Sequence, residues 1–165
     1  MSLRTKFATG LLAAAVLVVS GCGNDSNAPV GSQITFSRTD ISLNVADASA
    51  GGTLPCTVQY TDTPINISIL DQDNNPLGKI ELTINLSFAP NSSSPGLLVM
   101  ELYDDANGDG RGDVLVEVPF VDETEEDGIK RVVVRLYAGC GLSYSGQLGA
   151  DSGIISNVMD ITVGT

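Results

Sequence analysis

Lys79-Ile80-Glu81-Leu82-Thr83-Ile84-Asn85-Leu86-Ser87-Phe88 alternates without a break, with Ile80, Leu82, Ile84, Leu86 and Phe88 on one side and Lys79, Glu81, Thr83, Asn85 and Ser87 on the other. Successive side chains of a strand point to opposite faces, so this period of two predicts a half-buried β-strand. The pattern recurs at Ile65, Ile67 and Ile69, at Val114, Val116, Val118 and Phe120, at Val132, Val134 and Leu136, and at Ile155, Met159, Ile161 and Val163. Weaker strands are expected at residues 34–36, 41–45, 56–60, 97–103 and 142–144. Turn chemistry separates them, as in Asp73-Asn74-Asn75-Pro76 and Ala89-Pro90-Asn91. After the N-terminal leader no stretch sustains a helical period. Some seven to nine short strands, each apolar on one face, bury those faces by packing sheet on sheet, so the predicted fold is an all-β sandwich.

The leader has its own logic. Arg4 and Lys6 form a positive region, residues 11–19 an apolar one, and Ser20-Gly21 supply small residues before Cys22. That order is a secretory signal, and its apolar run is too short for the roughly 20 residues of a membrane-spanning helix. Val19-Ser20-Gly21-Cys22 resembles the bacterial lipobox. The resemblance implies cleavage before Cys22 and lipid on its sulfur and new amino group, anchoring the chain to a membrane. Gly23, where lipoproteins kept at the inner membrane tend to have Asp, points to the outer membrane of a bacterial envelope. The expected organisation is a signal peptide at residues 1–21, a lipidated flexible tether at 22–33, whose small polar residues show no periodicity, and one sandwich domain at 34–165.

With Cys22 assigned to lipid, Cys56 and Cys140 remain. Two thiols exported to an oxidising compartment are expected to pair as a structural disulfide. Closing so long a loop stabilises a fold by about 4–5 kcal/mol on the loop-entropy model. The chain carries 20 acidic and 8 basic residues and no histidine. All the acidic ones follow the leader, while Arg4 and Lys6 leave with it. A surface this acidic repels phosphate backbones and anionic headgroups, so nucleic acid is not an expected partner.

The run from Ile65 to Ile84, strand, then Asp71-Gln72-Asp73-Asn74-Asn75-Pro76-Leu77, then strand, is similar to the bacterial immunoglobulin-like repeats of the invasin and intimin type. Asp105-Ala106-Asn107-Gly108 before an alternating stretch, and the strands between Val132 and Val163, fall where that pattern puts them. The resemblance covers roughly residues 60–165. It implies an immunoglobulin-like fold and an adhesion, spacer or scaffold role without catalysis. The chain departs from it in carrying one such domain, a cysteine pair and an enlarged acidic loop.

That loop is the most chemical segment. Asp105, Asn107 and Asp109 alternate ahead of Gly110, with the Arg111 carbonyl and Asp113 following. Calcium takes six to eight oxygens on a flexible loop, and this spacing offers them at the first, third, fifth, seventh and ninth positions. The twelfth is Val116, so a further carboxylate would come from Asp104, Glu101, Glu117 or a neighbouring loop. The loop is similar to the calcium loops of dockerins and FG-GAP-type repeats. It reads equally as a Gly/Asn/Asp turn joining two strands. Arg111-Gly112-Asp113 also matches the integrin-binding tripeptide, a match three residues long. Residues 122–127, Asp-Glu-Thr-Glu-Glu-Asp, read as a solvated loop.

Without histidine, triads built on it and the commonest general base are gone. Ala150-Asp151-Ser152-Gly153 reads as a turn. The function expected is a lipid-anchored structural or binding module of the cell envelope, calcium-stabilised if the loop is a site, whose partner is an envelope protein or a polysaccharide. An accessory module that binds carbohydrate or protein is the first alternative, for which Tyr60, Tyr103, Tyr137 and Tyr144 are few. A small carboxylate-dependent hydrolase is the second.

Overall fold

Ile65, Ile67 and Ile69 have no exposed surface in the computed structural model, which describes residues 27–44, 59–89, 100–138 and 143–164. Within these lie ten strands: β1 (Gln33–Phe36), β2 (Asp40–Asn44), β3 (Gln59–Leu70), β4 (Glu81–Ala89), β5 (Met100–Asp104), β6 (Val114–Leu115), β7 (Phe120–Glu123), β8 (Ile129–Ala138), β9 (Tyr144–Ser152) and β10 (Ile155–Gly164). They form two five-stranded sheets, β1-β3-β8-β5-β6 and β2-β10-β9-β4-β7. Every pairing is antiparallel except β2 with β10. The chain is an all-β sandwich, as the alternation predicted, immunoglobulin-like as the resemblance implied, with ten described strands in place of seven to nine.

The core follows from register. In the first sheet Ile65 lies opposite Val132, and Leu102 opposite Val134. In the second, Ile84 lies opposite Ala150, and Met159 and Leu86 each lie opposite Leu148. The inward faces interdigitate as one cluster of branched and unbranched aliphatics. Residues 33–44 contribute β1 to one sheet and β2 to the other, and the Asn157 amide of β10 donates to the Ile34 carbonyl at 2.8 Å. Packing reaches back to Ala28, inside the expected tether: it is buried, and its amide donates to Ser152 Oγ.

The 71–77 turn is held by its own side chains. Asp71 Oδ1 accepts from the Asp73 and Asn75 amides at 2.8 Å each, and Asn74 takes the left-handed conformation at φ 63°. Asn75 holds the Asp71 carboxyl below its usual pKa, through its backbone amide first and then its side chain. Lys79 does not head β4 as expected. It takes φ 61°, and its amide donates to the Thr124 carbonyl. Thr124 is fully buried, and its hydroxyl accepts from the Ile80 amide and donates to the Leu77 carbonyl, so one side chain pins this turn from across the sheet.

Two further expectations fail. Residues 114–120 are not one strand with a buried face: Val114, Leu115 and Val118 are exposed, and only Val116 and Phe120 pack on the core. The segment leaves the first sheet after β6 and enters the second at β7, and Pro119 has no amide to give a ladder. Nor are residues 122–127 a solvated loop. Asp122 and Glu123 belong to β7, Thr124 is buried, and Arg131 pairs with Glu125 and Asp127.

Lys130 faces inward opposite Ile67, with its side chain 7% exposed. Its ammonium lies between Asp104 of β5, at 2.8 Å, and Asp122 of β7, and also over the Phe120 ring at 5.3 Å. One cation therefore joins the two sheets. Removing one member of a fully buried pair costs about 3–5 kcal/mol. Asp122 keeps 42% of its side chain exposed, which brings the cost here below that range. Lys130→Met is expected to lower the unfolding free energy by about 2–3 kcal/mol in urea denaturation. A change below about 0.5 kcal/mol, the level of an ordinary surface substitution, would refute the tie.

The ionisable groups also set a pH window. Burial alone would raise the Asp122 carboxyl, yet the Lys130 hydrogen bond brings it below its usual value, and Arg131 does the same for Asp127. Such groups add stability above the unfolded carboxylate pKa and lose it as pH falls through the depressed one. Burial tends to lower Lys130, but its two carboxylates raise it, and burial raises the Tyr144 hydroxyl, which donates to the Tyr137 carbonyl. Their contribution is present below the unfolded values and lost as pH rises through the raised ones. The melting temperature should therefore be level between about pH 5 and 9, falling below about pH 4 and above about pH 10. A steady slope across the plateau would contradict this assignment.

Candidate functional site

The even-numbered residues of β3 and odd-numbered residues of β8 and β5 turn outward, and register brings them together. Tyr60 lies opposite Tyr137, Asp62 opposite Arg135, and Glu101 opposite Arg135 from the other side. The Arg135 guanidinium grips Asp62 with two bonds, Nε to Oδ1 at 2.7 Å and Nη2 to Oδ2 at 2.8 Å. Nη1 donates to the Tyr103 hydroxyl at 2.9 Å. Its carbon stands 4.2 Å from the Tyr60 ring centroid and 4.4 Å from that of Tyr103. The guanidinium is thus stacked between two rings, each such contact adding about 0.5–2 kcal/mol.

Tyr103 and Tyr137 both donate their hydroxyls to Glu101 Oε2, at 3.0 and 2.9 Å. Burial and then Glu101 raise the Tyr103 pKa, and Glu101 first raises that of Tyr137. The Asp62 bonds lift the Arg135 guanidinium further above its ordinary range, so it is a permanent cation. Tyr60, tilted 60° against Tyr137 with centroids 6.2 Å apart, is the open member at 58% exposure. Three of the four tyrosines, counted as few in the sequence, are therefore gathered on one face.

The acidic loop between β5 and β6 folds back over the same face. A Cβ on Gly112 would stand 2.5 Å from Tyr103 Cβ, one on Gly108 3.2 Å from Arg131 Cδ, and one on Gly110 3.7 Å from Pro64 Cγ. Val133 points outward between Pro64 and Tyr103, yet it is wholly buried. Only glycine permits so close an approach at 112, and Gly108 and Gly110 also take positive φ, at 70° and 80°.

The loop residues singled out in the sequence are brought together, largely on one another's amides. Asp105 Oδ2 accepts from the Gly110 amide, Asn107 Oδ1 from Asp109, and Asp109 Oδ1 from Arg111. Asp113 accepts from the Asn107 amide and side chain at 3.2 and 3.0 Å. Among the described residues no three acidic, cysteine or histidine side chains stand close enough in this arrangement to hold a metal ion. Two reserve carboxylates are committed elsewhere, Asp104 to Lys130 and Glu101 to the tyrosines. The Arg111-Gly112-Asp113 tripeptide is built into the loop, with Gly112 against Tyr103 and Asp113 on Asn107. Cys22, Cys56 and Cys140 lie outside the described residues.

Sequence reasoning missed Arg135, Asp62 and Lys130. Lys130 carried a readable signal, a charge continuing the apolar face of Val132, Val134 and Leu136. Arg135 carried none, because only the register of three strands puts it between two tyrosines.

Fold and site together define an immunoglobulin-like sandwich with a stacked tyrosine–arginine surface on one sheet and an acidic loop folded over that sheet's outer face. No protein-family model matches the chain, and no curated protein matches it. Among solved structures it is similar to the ASH/PapD-like domain 7 of human CEP192, at 8% identity and TM-score 0.39 over 92% of this chain and 95% of that one. It is also similar to a family 123 glycoside hydrolase from Clostridium perfringens that acts on glycolipid glycans, at 10% identity and TM-score 0.42 over 81% of this chain. A third is CfaE, the adhesive subunit of the CFA/I fimbria of enterotoxigenic Escherichia coli, at 11% identity and TM-score 0.37 over 82% of this chain. The chain spans 27% of the hydrolase and 49% of CfaE. Likeness at this level concerns strand layout and carries no chemistry.

Gly112→Ala must displace Tyr103 or lift the loop. It is expected to destabilise the fold by about 1–3 kcal/mol. Gly149→Ala, whose new methyl finds its nearest neighbour at 4.0 Å, should stay within about 0.5 kcal/mol. Equal denaturation midpoints for the two variants would contradict the close packing of loop on ring.

Proposed function

We propose that the chain is a lipid-anchored binding module of a bacterial cell envelope, which holds an envelope protein or polysaccharide against the outer face of its first sheet. The observation that carries this reading is Tyr60. It is a large aromatic left 58% exposed, with Arg135 stacked on it and that arginine fixed by Asp62. Rigid aromatic anchors beside arginine are what recognition surfaces use, because little side-chain freedom is lost when a partner arrives. The cluster favours binding over a purely structural spacer, since an exposed ring adds nothing to the core.

The leader and Cys22 support the lipid anchor, and Gly23 supports the outer membrane. Cys56 and Cys140 are proposed to form a disulfide. The β3–β8 ladder supports this, because its last described pair is Gln59 with Ala138, which Cys56 precedes by three residues and Cys140 follows by two.

Crosslinked capture from intact envelopes tests the reading. Wild type is expected in the membrane fraction and bound to a partner, Cys22→Ser in the soluble fraction, and Tyr60→Ala anchored but without partner. Tyr60→Ala should destabilise the fold by no more than about 0.5–2 kcal/mol, the worth of its contact with Arg135, and leave it folded. Equal capture by wild type and Tyr60→Ala would sink the binding surface, and membrane retention of Cys22→Ser would sink the lipid anchor.

A further inference from the structure

Asp105 is 3% exposed, and its two oxygens have different fates. Oδ2 accepts the Gly110 amide across the loop at 3.1 Å. Oδ1 is buried without a partner among the described residues. Asp104 Oδ1 is equally buried but lies 2.8 Å from the Lys130 ammonium, so its charge is answered. The nearby arginine cannot serve Asp105, because the Arg131 guanidinium is taken by Glu125 and Asp127. An ionised carboxylate only accepts, and one left buried with a bare oxygen calls for a proton, a water or a cation.

We infer that residues 105–113 form a site for one calcium-class divalent cation, organised around Asp105 Oδ1. The other donors within the loop are all oxygens, from the side chains of Asn107, Asp109 and Asp113 and the Arg111 carbonyl. A hard cation with many oxygen ligands is the partner such a set suits. Magnesium, which demands near-ideal octahedral geometry, is the poorer match. Entry has a cost, because Asp113 must release the Asn107 amide and side chain. With Asp104 and Glu101 committed elsewhere, the shell is completed by water. Both points place the dissociation constant at about 10⁻⁴–10⁻³ M, the range of extracellular modules. Gly112 lies on the Tyr103 ring, so filling the site is felt at a tyrosine. The chain has no tryptophan, so the near-ultraviolet signal of Tyr103 is not masked.

The test is a calcium titration of chelator-stripped full-length chain up to about 10 mM, beyond the affinity range for such modules. Near-ultraviolet circular dichroism, calorimetry and melting temperature are followed, with magnesium alongside. Expected are saturation by one calcium ion, a higher melting temperature and a changed tyrosine band, with magnesium at least tenfold weaker. Asp105→Asn should keep its far-ultraviolet spectrum and lose the calcium response, and Glu123→Gln should keep it. Three results would overturn the inference: no saturable binding by folded wild type, unchanged affinity in Asp105→Asn, or Asp105→Asn melting above a calcium-indifferent wild type. The last would mean that a proton or water satisfies Oδ1. Tyr60→Ala should bind calcium like wild type, so loss of the ion site and loss of the partner surface are separable.

Discussion

The ammonium of Lys130 is the point on which one end of this sandwich turns. It meets Asp104 at the end of β5 and Asp122 within β7, strands that belong to different sheets. Between those two aspartates the chain leaves the first sheet, folds the acidic loop over its outer face, makes the short β6 and crosses to the second. Both ends of the excursion are thus tied to one cation. Its neighbour Arg131 faces outward, contacts the loop at Gly108 and pairs with Glu125 and Asp127. Two adjacent basic residues on opposite faces of β8 therefore organise much of the acid in this region. A net charge of −12 does not push this end apart, because Asp104 and Asp122 are paired with Lys130, and Glu125 and Asp127 with Arg131.

The same economy explains the outer surface. Arg135, two turns of alternation further along β8 from Arg131, is held by Asp62 from one side and stacked by tyrosines from β3 and β5. Glu101 then collects the hydroxyls of Tyr103 and Tyr137. Only Tyr60 keeps a largely open ring. The surface is rigid where its neighbours are satisfied and open at one place, which is the arrangement a binding module needs.

The loop joins these two systems. Gly112 and Gly108 are placed where side chains would collide with Tyr103 or crowd Arg131, so the loop's composition is set by the face beneath it as well as by any ligand. This gives the glycine-rich spacing a structural cause that stands beside the oxygen pattern. Asp105 is where the two causes part. A turn has no use for a buried carboxylate oxygen with nothing to bond, whereas a cation site does.

Period-two alternation was enough to determine the fold class, most of the strands and the inward faces, because the pleat forces a strict link between sequence parity and side-chain direction. The central strand of the second sheet, β9, was legible only at its first residue. Gly146 and Gly149 break its apolar pattern, and at 146 a side chain would collide with Met100 and the Ser87 carbonyl, so glycine is there for packing. The acidic loop was legible as a unit because its Asp, Asn and Gly residues are close in sequence. The Tyr60–Arg135–Glu101 cluster and the Lys130 tie were not, since each joins three strands, β3, β8 and β5 in the first and β5, β8 and β7 in the second. Sequence parity fixes the face a residue takes, but its partners depend on strand order and register, which arise only when the two sheets close on their common core.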